Sequence, residues 1–129
     1  MYTLELIKVE SIIETEEHIP ERVEWLKNVI LQEKVWCVPL ILEKKSLALM
    51  DGHHRLNVAK IIGLKRVPAI LLDYYEDNVI VNSWREDIHI DREIVLRYIR
   101  DGKVFPHKTT RHFISPTPDE IAIPLSFLY

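Results

Sequence analysis

The sequence predicts an α+β fold in which a small mixed sheet is flanked by helices. Short apolar runs typical of strands are interspersed with three segments of helical periodicity, and one strand-turn-helix-strand unit lies in the middle of the chain. The chain has 129 residues, of which 47% are hydrophobic, and this is enough for one compact core with little room for a second. We therefore predict a single domain over residues 1–129.

Four elements are predicted in the first part of the chain. Residues 3–9 alternate apolar and polar side chains, which is the pattern of a half-buried strand. Residues 20–32 begin with a proline suited to the first turn of a helix and place apolar side chains on one helical face. Residues 39–42 and 47–50 are short apolar runs joined by a charged tetrapeptide, and we expect them to pair as a hairpin.

Four more elements are predicted after that hairpin. Residues 53–62 have helical spacing and are followed by a glycine, as is common at the end of a helix. Residues 67–72 return to the sheet as an apolar strand, and residues 79–81 form a further short strand. Asp91 is expected to cap the last helix. The tail that follows is interrupted by prolines, so we expect mostly loop or edge strand there.

Composition and charge exclude several classes of function. The chain has 17 Lys and Arg against 20 Asp and Glu, for a formal net charge of −3, so nucleic-acid binding through a broad basic surface is not favoured. The single cysteine, Cys37, excludes an intrachain disulfide and a four-thiolate zinc site. No charged leader or membrane-length apolar run is present, so a cytoplasmic location is expected. The charged content of 29% favours a thermophilic source.

The most informative segment is the turn Asp51-Gly52-His53-His54-Arg55, which joins a strand to a helix. A glycine there permits a sharp turn, and the first amides of the helix have no partner within it. The helix dipole and the arginine add positive potential, so the turn suits the phosphates of a nucleotide. Two alternatives stay open. Asp51 could simply cap the helix, or the adjacent histidines could bind a metal ion, although their side chains would point about 100° apart.

Three other features carry side chains suited to chemistry. Glu14, Glu16 and Glu17 precede the first helix, where they either complement its dipole or supply a carboxylate that accepts a proton from an attacking hydroxyl. Residues 107–112 group two hydroxyls with cationic donors, which suits a small anion, but they could also form an exposed basic connection. From its residue type alone, Trp84 is expected in the core or at an interface.

Together these segments resemble the free L-serine kinases of the ParB/sulfiredoxin-like superfamily, which form O-phosphoserine. The resemblance covers most of the chain and rests on the acidic loop, the Asp51–Arg55 turn, the Ser83-Trp84 pair and residues 108–112. It implies a ParB/sulfiredoxin-like fold and a phosphotransferase that uses ADP or ATP to phosphorylate L-serine. Mg²⁺ would bridge phosphate oxygens, with no metal site built from protein ligands alone. A homodimer is left open, and neither membrane nor nucleic acid is expected as a partner.

The resemblance also implies roles for individual residues. Glu16 corresponds to the catalytic carboxylate that activates the serine hydroxyl, with Glu17 as the runner-up, and Asp51 is expected near the hydroxyl or the Mg²⁺. The nucleotide-binding residues are Asp51, Gly52, His53, His54 and Arg55. The substrate-binding residues are Trp84, Thr109, Thr110, Arg111 and His112.

Two other branches of the superfamily are alternatives. A sulfiredoxin needs a cysteine where His53 stands, which argues against that redox chemistry. A ParB-like nucleotide-binding or DNA-binding module usually carries a further helix-turn-helix domain, for which this chain has no room. The serine kinases themselves are longer, with extra helical material, so this chain is either a minimal kinase, one that completes its site by dimerising, or a relative that binds nucleotide for another purpose.

Overall fold

The computed structural model describes residues 2–77 and 79–129 and confirms the α+β class. The helices are α1 (Pro20–Glu33), α2 (His53–Ile62) and α3 (Arg92–Asp101). The strands are β1 (Leu4–Lys8), β2 (Val35–Trp36), β3 (Leu40–Glu43), β4 (Leu49–Asp51), β5 (Arg66–Leu72), β6 (Val79–Ser83), β7 (Thr110–Ile114) and β8 (Ile123–Pro124). Short 3-10 turns occupy Val9–Ser11 and Leu125–Phe127.

A mixed sheet with the strand order β1-β5-β3-β4 lies at the centre of the molecule. β3 and β4 form the predicted antiparallel hairpin, and β5 lies parallel to β3 on its other side. β1 completes the sheet antiparallel to β5. Because α2 forms the crossover between β4 and β5, its first turn follows directly from the end of β4.

Both faces of the sheet are covered. One face packs against α1 and α2, whose buried side chains include Val23, Leu26 and Leu56. The other face packs against α3 and the β6-β7 pair through a second cluster of buried side chains. All four residues of β3 are buried, which explains why its first three residues form a continuous apolar run and not an alternating pattern.

The second layer contains the remaining strands and α3. β6 and β7 pair antiparallel, with Val81 opposite His112 and Ser83 opposite Thr110. The predicted cap of α3 is confirmed, since the Asp91 carboxylate accepts a hydrogen bond from the Ile94 amide at 2.9 Å. The tail is mostly loop, as expected, and β8 pairs with β2. In the described part of the chain no helix has the length and apolarity to cross a membrane.

Candidate functional site

The turn between β4 and α2 requires glycine for two reasons. Gly52 has a φ of +108°, in the left-handed region that other residues avoid. A Cβ at this position would lie 2.4 Å from Leu40 Cδ2, closer than real contacts allow. Gly52 itself occupies the cap position of α2, without a side-chain hydrogen bond, and Asp51 is the last residue of β4. The alternative in which Asp51 only caps the helix is therefore wrong.

The backbone amides at the start of α2 face the same region. The helix begins its hydrogen-bonding with the Leu56 amide, which donates to the Gly52 carbonyl at 2.9 Å. The amides of the three residues before it, His53 to Arg55, therefore need no partner within the helix and can bind an anion.

Both histidines of the turn contact the acidic loop. His53 Nε2 lies 3.1 Å from Thr15 Oγ1, and His54 Nε2 accepts a hydrogen bond from the Ile19 amide at 3.2 Å. Burial lowers the pKa of His53 to about 4. Burial, helped by the nearby Arg22 guanidinium, also lowers the pKa of His54. These imidazoles are neutral at pH 7, and each uses Nε2 to hold the loop that carries Glu16.

The Glu16 carboxylate is bound by the turn that precedes β7 and by the first residue of that strand. Its Oε1 accepts hydrogen bonds from the Thr109 amide at 3.0 Å, the Thr110 amide at 2.8 Å and the Thr110 hydroxyl at 3.1 Å. Its Oε2 accepts one from the Lys108 amide at 3.2 Å. Four donors thus orient the carboxylate, and Oε2 is the oxygen with more capacity for a further proton or ligand.

The Arg111 guanidinium is held between two aromatic rings. Its Cζ lies 4.7 Å from the ring centroid of Trp84 and 4.9 Å from that of Phe113. Its Nε donates to Asn82 Oδ1 at 3.0 Å. These contacts hold the guanidinium in place. Within the described residues its terminal nitrogens have no hydrogen-bond partner, so they can bind an anion such as a carboxylate. Trp84 is 56% exposed, so it is not the core residue that its type suggests.

These segments surround one cavity of about 300 Å³. The predicted site residues that line it are Glu16, Asp51, Gly52, His53, His54, Arg55, Trp84, Thr110, Arg111 and His112. Met50 and Lys108 also line it. The structure therefore brings together residues from four separate segments of the chain, as the sequence analysis expects.

Two predicted residues lie outside this cavity. Thr109 is 1% exposed, and its hydroxyl donates to the Pro106 carbonyl at 2.7 Å. Glu17 is exposed to solvent, while its amide donates to the Phe105 carbonyl at 2.7 Å. The geometry thus favours Glu16 over Glu17 as the carboxylate of the site, and it gives Thr109 the role of shaping the turn around Glu16.

A second cavity, of about 290 Å³, adjoins the first. Asp51 and His112 line both cavities and so form the wall between them. The second cavity is lined by apolar side chains such as Val38 and Ile41 and also by the acidic residues Asp119 and Glu120. Sequence reasoning missed it because most of its lining comes from residues 38–41, 113–114 and 117–120, which carry no recognisable motif.

The electrostatics of Asp51 differ from those of a freely solvated carboxylate. Although this residue keeps contact with solvent, the surrounding protein raises the pKa of its side chain. The Gly52 amide and the Arg55 guanidinium lower this pKa, but their effect is smaller than that of burial.

Among the described residues, no group of three or more His, Cys, Asp or Glu side chains could hold a metal ion.

The sequence is similar to those of archaeal L-serine kinases and a ParB-like protein. Over 83 residues it is 36% identical to an ATP-dependent L-serine kinase of Staphylothermus marinus, covering 61% of this chain and 33% of the relative. Over 79 residues it is 37% identical to a ParB-like protein of Sulfolobus acidocaldarius, covering 57% of this chain and 40% of the relative. The chain thus spans about a third to two fifths of the length of the curated relatives it matches. No protein-family model matches the chain.

The fold is shared with solved proteins. A free serine kinase in complex with AMP superposes with a TM-score of 0.86 at 17% identity, covering 99% of this chain and 93% of that one. A conserved hypothetical protein from Pyrococcus furiosus superposes with a TM-score of 0.88 at 17% identity, covering 99% and 97%. The chain therefore has the fold of the free serine kinases, which confirms the fold that the resemblance in the sequence implies.

Proposed function

We propose that this chain is a nucleotide-dependent kinase that phosphorylates free L-serine to O-phospho-L-serine. The observation that supports this most is the shared cavity, in which a hydrogen-bonded carboxylate, a helix N-terminus and a stacked arginine converge. The likeness to proteins named L-serine kinases points to the same reaction. Solved proteins with this fold include free serine kinases in complex with AMP and with ADP.

In this proposal the first turn of α2 holds the phosphates of the nucleotide. The free amides of that turn and the Arg55 guanidinium donate to phosphate oxygens, and the helix dipole adds to the attraction. The nucleoside occupies the adjoining cavity, on the far side of the wall formed by Asp51 and His112. The phosphate chain then passes that wall, and the terminal phosphate lies within the first cavity, which Glu16 also lines.

L-serine occupies the part of the cavity near Trp84 and Arg111. The arginine binds the carboxylate of the amino acid, since its terminal nitrogens are available and its guanidinium is held in place. The serine hydroxyl oxygen attacks the terminal phosphorus while the bond to the nucleotide's bridging oxygen breaks. The hydroxyl proton passes to Glu16 Oε2, and the nucleotide leaves one phosphate shorter.

The donor set fits a magnesium ion bound chiefly through the nucleotide. Mg²⁺ in such sites commonly uses one or two carboxylates together with substrate phosphates, and Asp51 ends β4 directly beside the phosphate-binding turn. When bound, the ion neutralises charge on the phosphates. Glu16 is less suited as a ligand because its carboxylate already accepts four hydrogen bonds.

The direct test is product formation. Purified chain incubated with Mg²⁺, L-serine and either ADP or ATP should yield phosphoserine, detected by phosphorus NMR and by mass spectrometry. L-alanine, which lacks the hydroxyl, is the matched control and should yield no phosphorylated amino acid. If neither nucleotide yields phosphoserine, the proposed kinase activity is wrong. The assay also decides which nucleotide is the donor.

A second candidate is a ParB-like nucleotide-binding or DNA-binding module without kinase activity. The 37% identity to a ParB-like protein supports it. A salt-dependent gel shift with duplex DNA would favour this candidate, since phosphate contacts make such binding weaken steeply with salt. The kinase hypothesis predicts no gel shift.

If the chain is a kinase, we place it in the cytoplasm, where nucleotides and free serine are both available. Light scattering tests whether it forms a homodimer.

A further inference from the structure

A buried tyrosine outside every predicted site segment contacts the wall between the two cavities. The Tyr74 hydroxyl oxygen lies 2.7 Å from His112 Nε2, and the two ring centroids are 5.7 Å apart. Tyr74 is 3% exposed and follows β5, whereas His112 lies in the middle of β7. The contact therefore joins the central sheet to the second layer at the site.

The backbone around Tyr74 is held on both sides. Asp73 Oδ1 accepts hydrogen bonds from the amides of Tyr75 at 2.7 Å and Glu76 at 3.1 Å. On the other side Arg92 Nη1 donates to the Tyr74 carbonyl at 3.4 Å. Because the backbone is held and the side chain is buried, the ring has little freedom to turn its hydroxyl away from His112.

The direction of the hydrogen bond follows from the protonation of the two rings. Burial raises the pKa of Tyr74, so its hydroxyl keeps its proton. Burial, with a smaller effect of His53, lowers the pKa of His112 to about 3, so the imidazole is neutral. If Nε2 carried the imidazole proton, the buried phenol proton would lack this acceptor, which is unfavourable. Tyr74 is therefore the donor and Nε2 the acceptor.

We infer that Tyr74 is a positioning residue that fixes the proton of His112 on Nδ1, so that Nδ1–H donates to an anionic oxygen of the ligand. With Nε2 directed at the tyrosine, Nδ1 is the ring nitrogen left for a ligand, and His112 lines both cavities. That this oxygen belongs to a phosphate of the nucleotide rests on the proposed function, whereas the position of the imidazole proton does not.

Nitrogen NMR of the histidine rings tests the inference directly. In the wild-type protein at pH 7, the long-range ¹H–¹⁵N pattern of His112 should show a protonated Nδ1 and an unprotonated Nε2. In Tyr74→Phe the donor is gone, and the pattern should shift towards a protonated Nε2. Tyr75→Phe is the matched control, because Tyr75 is 55% exposed and its hydroxyl contacts Glu93. It should leave the His112 pattern unchanged.

ADP affinity, measured by calorimetry on the same variants, gives a second readout. Tyr74→Phe should weaken ADP binding by roughly threefold to tenfold, the value of one misplaced hydrogen bond, whereas Tyr75→Phe should not. A protonated Nε2 in the wild type would overturn the inference, as would unchanged ADP affinity in Tyr74→Phe. If wild type binds no ADP, the proposed function fails, while the NMR result still decides where the proton lies.

Discussion

At the scale of single residues, Glu16 is both fixed by its neighbours and open to the cavity. Its carboxylate accepts four hydrogen bonds from the turn before β7, and the same side chain lines the cavity. A base whose position is fixed by its neighbours loses little orientational freedom on catalysis. The same hydrogen bonds mean that removal of the whole side chain would also disturb the turn, so an isosteric change is the better probe.

Glu16→Gln should lower kcat for serine phosphorylation by about 100-fold to 10,000-fold. The amide oxygen can still accept the bonds that Oε1 receives, but glutamine cannot take the hydroxyl proton. Nucleotide affinity should change little, since the phosphates contact α2. Glu17→Gln, one residue further on and outside the cavity, should keep wild-type turnover. Steady-state kinetics measures kcat, and calorimetry measures nucleotide affinity. An equal loss of turnover in both variants would contradict the assignment of Glu16 as the base.

Gly52→Ala should destabilise the protein by about 2 to 4 kcal/mol, because a side chain is strained at this φ and would overlap Leu40. Gly63→Ala is the matched control. Gly63 also has a positive φ, of +82°, but a Cβ there would meet nothing within 4 Å, so a loss of only about 1 kcal/mol is expected. Urea unfolding of both variants measures the difference, and similar losses would show that the contact with Leu40 is unimportant.

At the scale of elements, the first turn of α2 organises the loop that precedes α1. His53 contacts Thr15, and His54 accepts a hydrogen bond from Ile19, the residue immediately before the first residue of α1. Glu14 extends this contact further along α2, where its carboxylate accepts bonds from Asn57 and Lys60. The proposed phosphate-binding helix and the proposed base are therefore parts of one connected unit.

His54→Ala should free the Ile19 amide and loosen the loop. Hydrogen exchange at this amide should become roughly tenfold faster, because a local opening no longer breaks a hydrogen bond of about 1.4 kcal/mol. His18→Ala is the matched control, since that neighbouring side chain belongs to an exposed residue. Unchanged exchange at Ile19 in His54→Ala would show that the backbone alone holds the loop.

At the scale of the whole molecule, buried neutral histidines make stability depend on pH. The folded-state pKa is about 4 for His53 and about 3 for His112, against an ordinary value of about 6.5. Below pH 6.5 the unfolded chain binds protons that the folded chain does not. Stability should therefore fall as pH decreases from about 6.5 towards 4, by up to about 1.4 kcal/mol per pH unit for each histidine.

Urea unfolding between pH 6.5 and 5 measures this slope in a range above the ordinary pKa values of the carboxylates. His112→Gln removes one of the three imidazoles whose pKa is lowered in the folded protein, the others being His53 and His54. It should therefore make the slope shallower, even if it changes the stability at pH 7. A stability that stays constant over this range would mean that these imidazoles are already charged in the folded protein.

Much of the fold follows from local patterns. Residues 53–62 were predicted as a helix and form α2 with the same bounds, because helical spacing and the flanking glycines are local signals. The hairpin and the capping of α3 by Asp91 belong to the same category. Each of these depends on residues close together in sequence, where propensity and turn chemistry act directly.

Other features were decided only by tertiary packing. The sequence shows two adjacent histidines, but only the fold places each Nε2 against the acidic loop. Thr109 and Thr110 look equivalent in sequence, yet one hydroxyl binds Pro106 and the other binds Glu16. The Tyr74 contact with His112 spans 38 residues. Such pairings depend on how distant elements pack, and no periodicity or motif in a single sequence records that.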